Sequence, residues 1–102
     1  MAFLTIATIA GEPGDLLERY LEIEPLMTGV GRDHGLLVHA VATTPEGLMQ
    51  VNLWPSRDGS QAAANDRRRV AVVGALDVDI RREHYDVPHH VLFQREAQMS
   101  RA

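Results

Sequence analysis

Gly35-Leu36-Leu37-Val38-His39-Ala40-Val41-Ala42-Thr43-Thr44-Pro45-Glu46-Gly47-Leu48-Met49-Gln50-Val51-Asn52-Leu53-Trp54-Pro55-Ser56 is the stretch from which the architecture follows. It reads as two apolar strands joined by a tight turn at Thr44-Pro45-Glu46-Gly47, where Pro and Gly supply the turn chemistry. A loop there pairs Thr43 with Leu48, and counting back sets Val41 opposite Gln50, His39 opposite Asn52 and Leu37 opposite Trp54. Side chains alternate along a strand, so each strand has two faces. One face carries Val38, Ala40, Ala42, Met49, Val51 and Leu53, all apolar, and is expected to pack on helices. The other carries Leu37, His39, Val41, Thr43, Leu48, Gln50, Asn52 and Trp54, and so holds every polar group that could do chemistry. A slip of one residue would scatter that set over both faces, which makes the register a specific prediction. A small core strand has no packing reason to hold His, Gln and Asn, so this face is expected to line a cavity closed by a second copy of the chain.

Outward from the hairpin, Phe3 to Ala10 is rich in Ile, Thr and Ala and suits a first strand. Gly11-Glu12-Pro13-Gly14-Asp15 is a turn that opens a helix, with Leu16, Leu17, Tyr20 and Leu21 near helical spacing. Pro25 is expected to end or kink that helix around Ile23-Glu24. Ser56 is a candidate N-cap for a second helix from about Asp58 to about Leu76, weakened by Gly59 and Gly74. A last strand is expected over roughly Arg82 to Phe93, with Pro88 placing it at an edge. The order is strand, helix, strand, strand, helix, strand. That is an α+β, ferredoxin-like βαββαβ arrangement with a four-stranded antiparallel sheet. One domain is expected over residues 1–94, followed by a polar tail over 95–102.

Composition narrows the chemistry. The chain has 102 residues and a formal charge of −4, so there is no basic excess to bind nucleic acid. The basic run Arg67-Arg68-Arg69 sits beside Asp66 and reads as a solvated helix face. With no cysteine, thiolate nucleophiles, disulfides and Cys-type zinc sites are excluded. With no lysine, a Schiff base is excluded too. No stretch is long and apolar enough to span a membrane, so no membrane partner and a cytoplasmic location are expected. A domain this small buries only part of its apolar surface, which favours a homodimer.

Leu37-Val38-His39-Ala40, Glu46-Gly47-Leu48 and Val51-Asn52-Leu53-Trp54-Pro55-Ser56 resemble the dimeric α/β-barrel superfamily of antibiotic-biosynthesis monooxygenase-like proteins. Val87-Pro88-His89-His90-Val91-Leu92 fits a His-containing last strand of similar small proteins. The resemblance implies two sheets paired into a barrel, a small-molecule aromatic ligand in the cavity, and chemistry without a cofactor. Its enzymes include cofactor-free monooxygenases, cyclases and lactone isomerases, and haem-degrading relatives pair a strand Trp with a helix His. Trp54 is present, but no His lies between it and His84, which argues against haem degradation.

Within that frame His39 is the candidate general base, since an imidazole titrates near neutral pH, and Asn52 would orient it or hold a substrate oxygen. His89 and His90 are candidates for a second acid/base group, one of them facing the cavity. Trp54, Gln50, Tyr85 and Leu37 are the candidate substrate-binding residues, with Trp54 an aromatic wall for a planar ligand. A metal site is not expected: no His-x-His or Glu-x-x-His spacing occurs, and His89 and His90 point to opposite faces of a strand. The expected function is proton abstraction from an enolisable aromatic or polyketide-like substrate, leading to oxygenation, cyclisation or isomerisation. The alternative is a non-catalytic ligand-binding or accessory homodimer.

Overall fold

The computed structural model describes residues 1–93. The elements are β1 (Ala2–Ala10), α1 (Pro13–Asp33), β2 (Val38–Thr44), β3 (Gly47–Trp54), α2 (Arg57–Ala64), α3 (Arg67–Gly74) and β4 (Ile80–Val87). The strands form one four-stranded sheet in the order β2-β3-β1-β4, every neighbouring pair antiparallel. This is the ferredoxin-like layout expected from the sequence, with the second helix divided in two.

The hairpin register is the expected one: His39 pairs with Asn52, Val41 with Gln50 and Thr43 with Leu48. The connection is tighter than expected, because Thr44 also pairs with Gly47 and leaves only Pro45 and Glu46 in the loop. Gly47 is required there. A Cβ on it would lie 1.9 Å from the Ile9 carbonyl oxygen on the neighbouring strand β1, so no other residue lets the strands meet. The Thr44 hydroxyl closes the turn by accepting the Gly47 N–H at 3.0 Å.

The helices cover the opposite face from the one expected. Trp54 and Phe3 pack with Val30 of α1 and Ala63 of α2, and Ile9 and Leu48 pack with Leu16 and Tyr20 of α1. His39, Gln50 and Asn52 therefore lie beneath the helices. The outer face carries Val38, Ala40, Ala42, Met49, Val51 and Leu53 from the hairpin, with Leu4 and Ile6 from β1. Apolar volume explains the choice. Trp54, the bulkiest strand residue, lies on this face with Phe3 and Leu48, and each fully buried side chain of this size contributes about 2 kcal/mol. The Val and Ala side chains left outside bury less, and Val38 stays 40 % exposed.

Helix α1 does not end at Pro25 but runs through it to Asp33. Pro25 has no N–H to donate to the carbonyl one turn earlier, at Leu21. That turn faces solvent, where Leu21 is 52 % exposed. Thr28 Oγ1 then donates to the Glu24 carbonyl at 2.9 Å. The helix stops where Gly35 adopts φ 86°, and the Leu36 N–H reaches back to the Gly31 carbonyl at 2.8 Å. This is a Schellman ending, and glycine enters its left-handed position without cost.

Ser56 caps α2 as expected, its hydroxyl accepting the Gly59 N–H at 3.2 Å. The expected single helix breaks at Asn65-Asp66, because Asp66 caps a new helix by accepting the Arg68 N–H at 3.0 Å. Asp66 also takes His34 Nε2 at 3.0 Å and Arg68 Nη2 at 2.8 Å, and Arg68 reaches Asp33 at 2.9 Å. The hydrogen bonds from Arg68 and then His34 hold the Asp66 carboxyl well below the usual carboxylate range. This cluster ties the end of α1 to the start of α3. Strand β4 covers Ile80–Val87 rather than Arg82 to Phe93; Pro88 has no N–H to continue the ladder. The tail expected over 95–102 lies outside the described residues.

Candidate functional site

His39 sits between two partners at 2.6 Å. Its Nδ1 faces Asn52 Oδ1 across the β2–β3 pair, and its Nε2 faces the Tyr20 hydroxyl from α1. An amide oxygen only accepts, so Nδ1 carries the proton and donates to Asn52. In the neutral imidazole Nε2 then accepts from the Tyr20 O–H. The three groups form one directed chain, Tyr20 to His39 to Asn52, and the Asn52 amide nitrogen is left free of the imidazole. Strand pairing sets the His–Asn contact. Tyr20 comes to it because the same turn of α1 buries Leu16 and Tyr20 against Ile9 and Leu48. Burial first, and the Glu24 carboxylate second, push the Tyr20 phenol up to about 12. Tyr20 is therefore a neutral donor throughout the physiological range.

Three neighbouring cavities separate the sheet from the helices. The largest is about 330 Å³, with Asn52, Gln50, Trp54, Ser60, Arg69 and His84 among its lining residues. One of about 40 Å³ includes His39, Asn52 and Trp54 in its wall, and one of about 50 Å³ includes Tyr20, Gln50 and Arg69. Gln50, Met27 and Arg69 border all three. The Trp54 ring forms a wall, fixed by its Nε1–H donating to Thr5 Oγ1 at 3.4 Å. Such a mixture of apolar walls and a few converging polar groups is what a small-molecule site requires.

The structure brings His39, Asn52, Gln50 and Trp54 together in this region. The other candidates lie elsewhere. Tyr85 is on the outer face, 48 % exposed, and donates to Glu83 at 2.7 Å. Leu37 precedes β2 and borders a shallow recess at the sheet edge. His89 and His90 follow the end of β4, are exposed, and line none of these cavities.

Residues outside the sequence-predicted site also border its cavities, among them Tyr20, Arg69, Arg82 and His84. In the sequence Tyr20 belongs to an apolar helix stripe, one turn from Leu16, and nothing local marks an imidazole partner. From sequence, Arg69 shares the solvated helix face expected of Arg67 and Arg68. Those two are exposed, whereas Arg69 is half-buried and donates from Nη1 to the Ala64 carbonyl at 3.4 Å. Successive helical residues are rotated by roughly 100°, so fastening Arg68 outward to Asp33 and Asp66 turns Arg69 inward. Alternation from Ile80 puts Arg82 and His84 on the helix side of β4, where the His84 ring stacks on Phe3 at 5.8 Å. Among the described residues no cluster of His, Asp and Glu is arranged to hold a metal ion, and no helix is long and apolar enough to cross a membrane.

No protein-family model and no curated protein matches the sequence. Solved structures do match in shape. SnoaB, a cofactor-independent oxygenase from Streptomyces nogalater, superposes with a TM-score of 0.63 at 11 % identity, over 88 % of this chain and 94 % of that one. A dimeric ferredoxin-like protein from an uncultured marine organism gives 0.67 at 15 % identity, over 91 % of this chain and 100 % of the other. A Deinococcus radiodurans protein, provisionally assigned as an antibiotic biosynthesis monooxygenase, gives 0.59 at 12 % identity over 93 % and 100 %. The chain thus shares the ferredoxin-like fold of these three structures.

Proposed function

We propose that the protein is a homodimeric small-molecule enzyme that removes a proton from an enolisable aromatic or polyketide-like substrate held against Trp54. The observation that carries this reading is the hydrogen-bonded chain Tyr20–His39–Asn52 set between adjoining cavities. Both imidazole nitrogens are already engaged, so His39 acts through Tyr20. The phenol oxygen takes the substrate proton while its own proton passes to Nε2, and the imidazolium is held by Asn52 Oδ1. The freed Asn52 amide N–H groups stabilise the enolate oxygen. A stabilised enolate can itself reduce dioxygen: O2 adds to the carbon, one proton completes the hydroperoxide, and loss of water, which takes the remaining hydrogen of that carbon, leaves a carbonyl. Without oxygen, the same enolate leads to cyclisation or isomerisation. Oxygenation fits the cofactor-independent oxygenase among the structural neighbours.

The second copy covers the outer sheet face, where Leu4, Ile6, Val38, Met49, Val51 and Leu53 form an apolar surface. A dimeric structural neighbour supports this arrangement.

A second reading, a non-catalytic ligand-binding dimer, is favoured by the same engagement of both His39 nitrogens, which is also what a satisfied structural histidine shows. One experiment separates the two. A panel of hydroxylated enolisable aromatics is screened for thermal stabilisation, and each hit is followed for oxygen uptake and for exchange of the acidic C–H in deuterium oxide. Exchange that is lost in His39→Ala and Tyr20→Phe supports the enzyme. Binding with neither exchange nor oxygen uptake establishes the binding protein instead.

A further inference from the structure

Charge is distributed unevenly between the surface and the interior cavity. The chain has 14 acidic and 10 basic residues, yet no carboxylate lines the large cavity or the 50 Å³ cavity beside it. Two guanidinium groups line both, Arg69 from α3 and Arg82 from β4. Among the described residues neither is ion-paired, whereas Arg57 and Arg68 each hold an aspartate. Arg69 is half-buried, and its one anchor is the Ala64 carbonyl at the end of α2. Burial first, and the like charge of Arg82 second, lower the Arg69 pKa, so the protein keeps two cations together at some electrostatic cost. Ser60 and Gln50 add neutral hydrogen-bonding groups to the same wall.

We infer that Arg69 and Arg82 form an anion clamp that selects ligands carrying a carboxylate, placing that group at the α3–β4 end of the cavity while the ring plane lies against Trp54. The inference rests on the proposed use of this cavity for a planar aromatic. Guanidinium groups match carboxylate geometry and bind it with charge-assisted hydrogen bonds. A bound carboxylate also removes the repulsion between the two arginines, so the site is poised for an anion and rejects an uncharged isostere. The substrate class is then an aromatic or polyketide-like acid, and not its ester or amide.

The test uses calorimetric titration of the full-length protein with a hydroxynaphthoate and with its methyl ester. The two share the ring system and differ in charge. The acid is expected to bind about tenfold or more tightly than the ester to the wild-type protein. Arg69→Gln and Arg82→Gln are each expected to remove that preference while leaving ester affinity unchanged, and Arg69→Lys to retain part of it. Circular dichroism confirms that the variants are folded, and Arg82, on an exposed edge strand, provides the variant least coupled to folding. Equal affinities for acid and ester, or an acid preference that survives both Gln substitutions, overturn the clamp and leave the cavity reading standing. Failure of the wild-type protein to bind either compound overturns both.

Discussion

His39 Nδ1 and Asn52 Oδ1 lie 2.6 Å apart at directly opposed positions of β2 and β3. The contact fixes the imidazole tautomer and aims Nε2 at Tyr20. Removing Asn52 therefore has a structural consequence separate from any effect on turnover. Asn52→Leu leaves the Nδ1–H without its partner beneath the helices and is expected to cost about 1–3 kcal/mol in urea unfolding. A loss below about 0.5 kcal/mol would mean that the bond contributes no net stability.

Tyr20 links stability to alkaline pH. Its phenol is raised from 10.0 to about 12 in the folded protein. Below pH 10 both folded and unfolded chains hold the proton, and the stabilisation is complete. Between the two values the unfolded chain releases it first, so stability falls as pH rises, by on the order of 2 kcal/mol in total. Tyr20→Phe keeps the packing but has no such proton, and its unfolding free energy is expected to vary less between pH 10 and 12. Parallel slopes for the two proteins would contradict the assignment.

Gly47 tests the tightness of the hairpin. Gly47→Ala forces a methyl group into the space of the Ile9 carbonyl. The strands must separate, at a cost of about 3 kcal/mol or more in thermal or urea unfolding. Gly29→Ala is the control, since a Cβ there meets nothing within 4 Å; on a helix it is expected to be neutral or to stabilise by up to about 1 kcal/mol.

The outer face makes the oligomer sensitive to a single charge. Val51 is central on it, paired with Ile6 on one side and Ala40 on the other. Val51→Glu would place a carboxylate in an apolar interface. Sedimentation equilibrium is expected to show a dimer for the wild-type chain and a monomer for the variant. A wild-type monomer at high concentration would remove the barrel from the functional proposal.

Much of the hairpin was legible in the sequence because its determinants are local. Thr44-Pro45-Glu46-Gly47 sets the turn, alternation sets which side chains share a face, and together they fix His39 opposite Asn52 without reference to the rest of the chain. The Ser56 cap was legible for the same reason. Which face the helices cover is different. Alternation defines two faces but gives no sign, and both faces here contain enough apolar residues to be buried. The decision belongs to the tertiary structure, where Trp54, Phe3 and Leu48 offer the larger volume to Leu16, Tyr20, Val30 and Ala63. That one decision puts His39 under Tyr20 and leaves Tyr85 outside. The inward turn of Arg69 is likewise tertiary, because it depends on Arg68 being held by Asp33 from the end of α1, 35 residues away in sequence. Local rules act over a few residues and fix pairing; the burial of one layer against another compares whole faces, and only the folded chain makes that comparison.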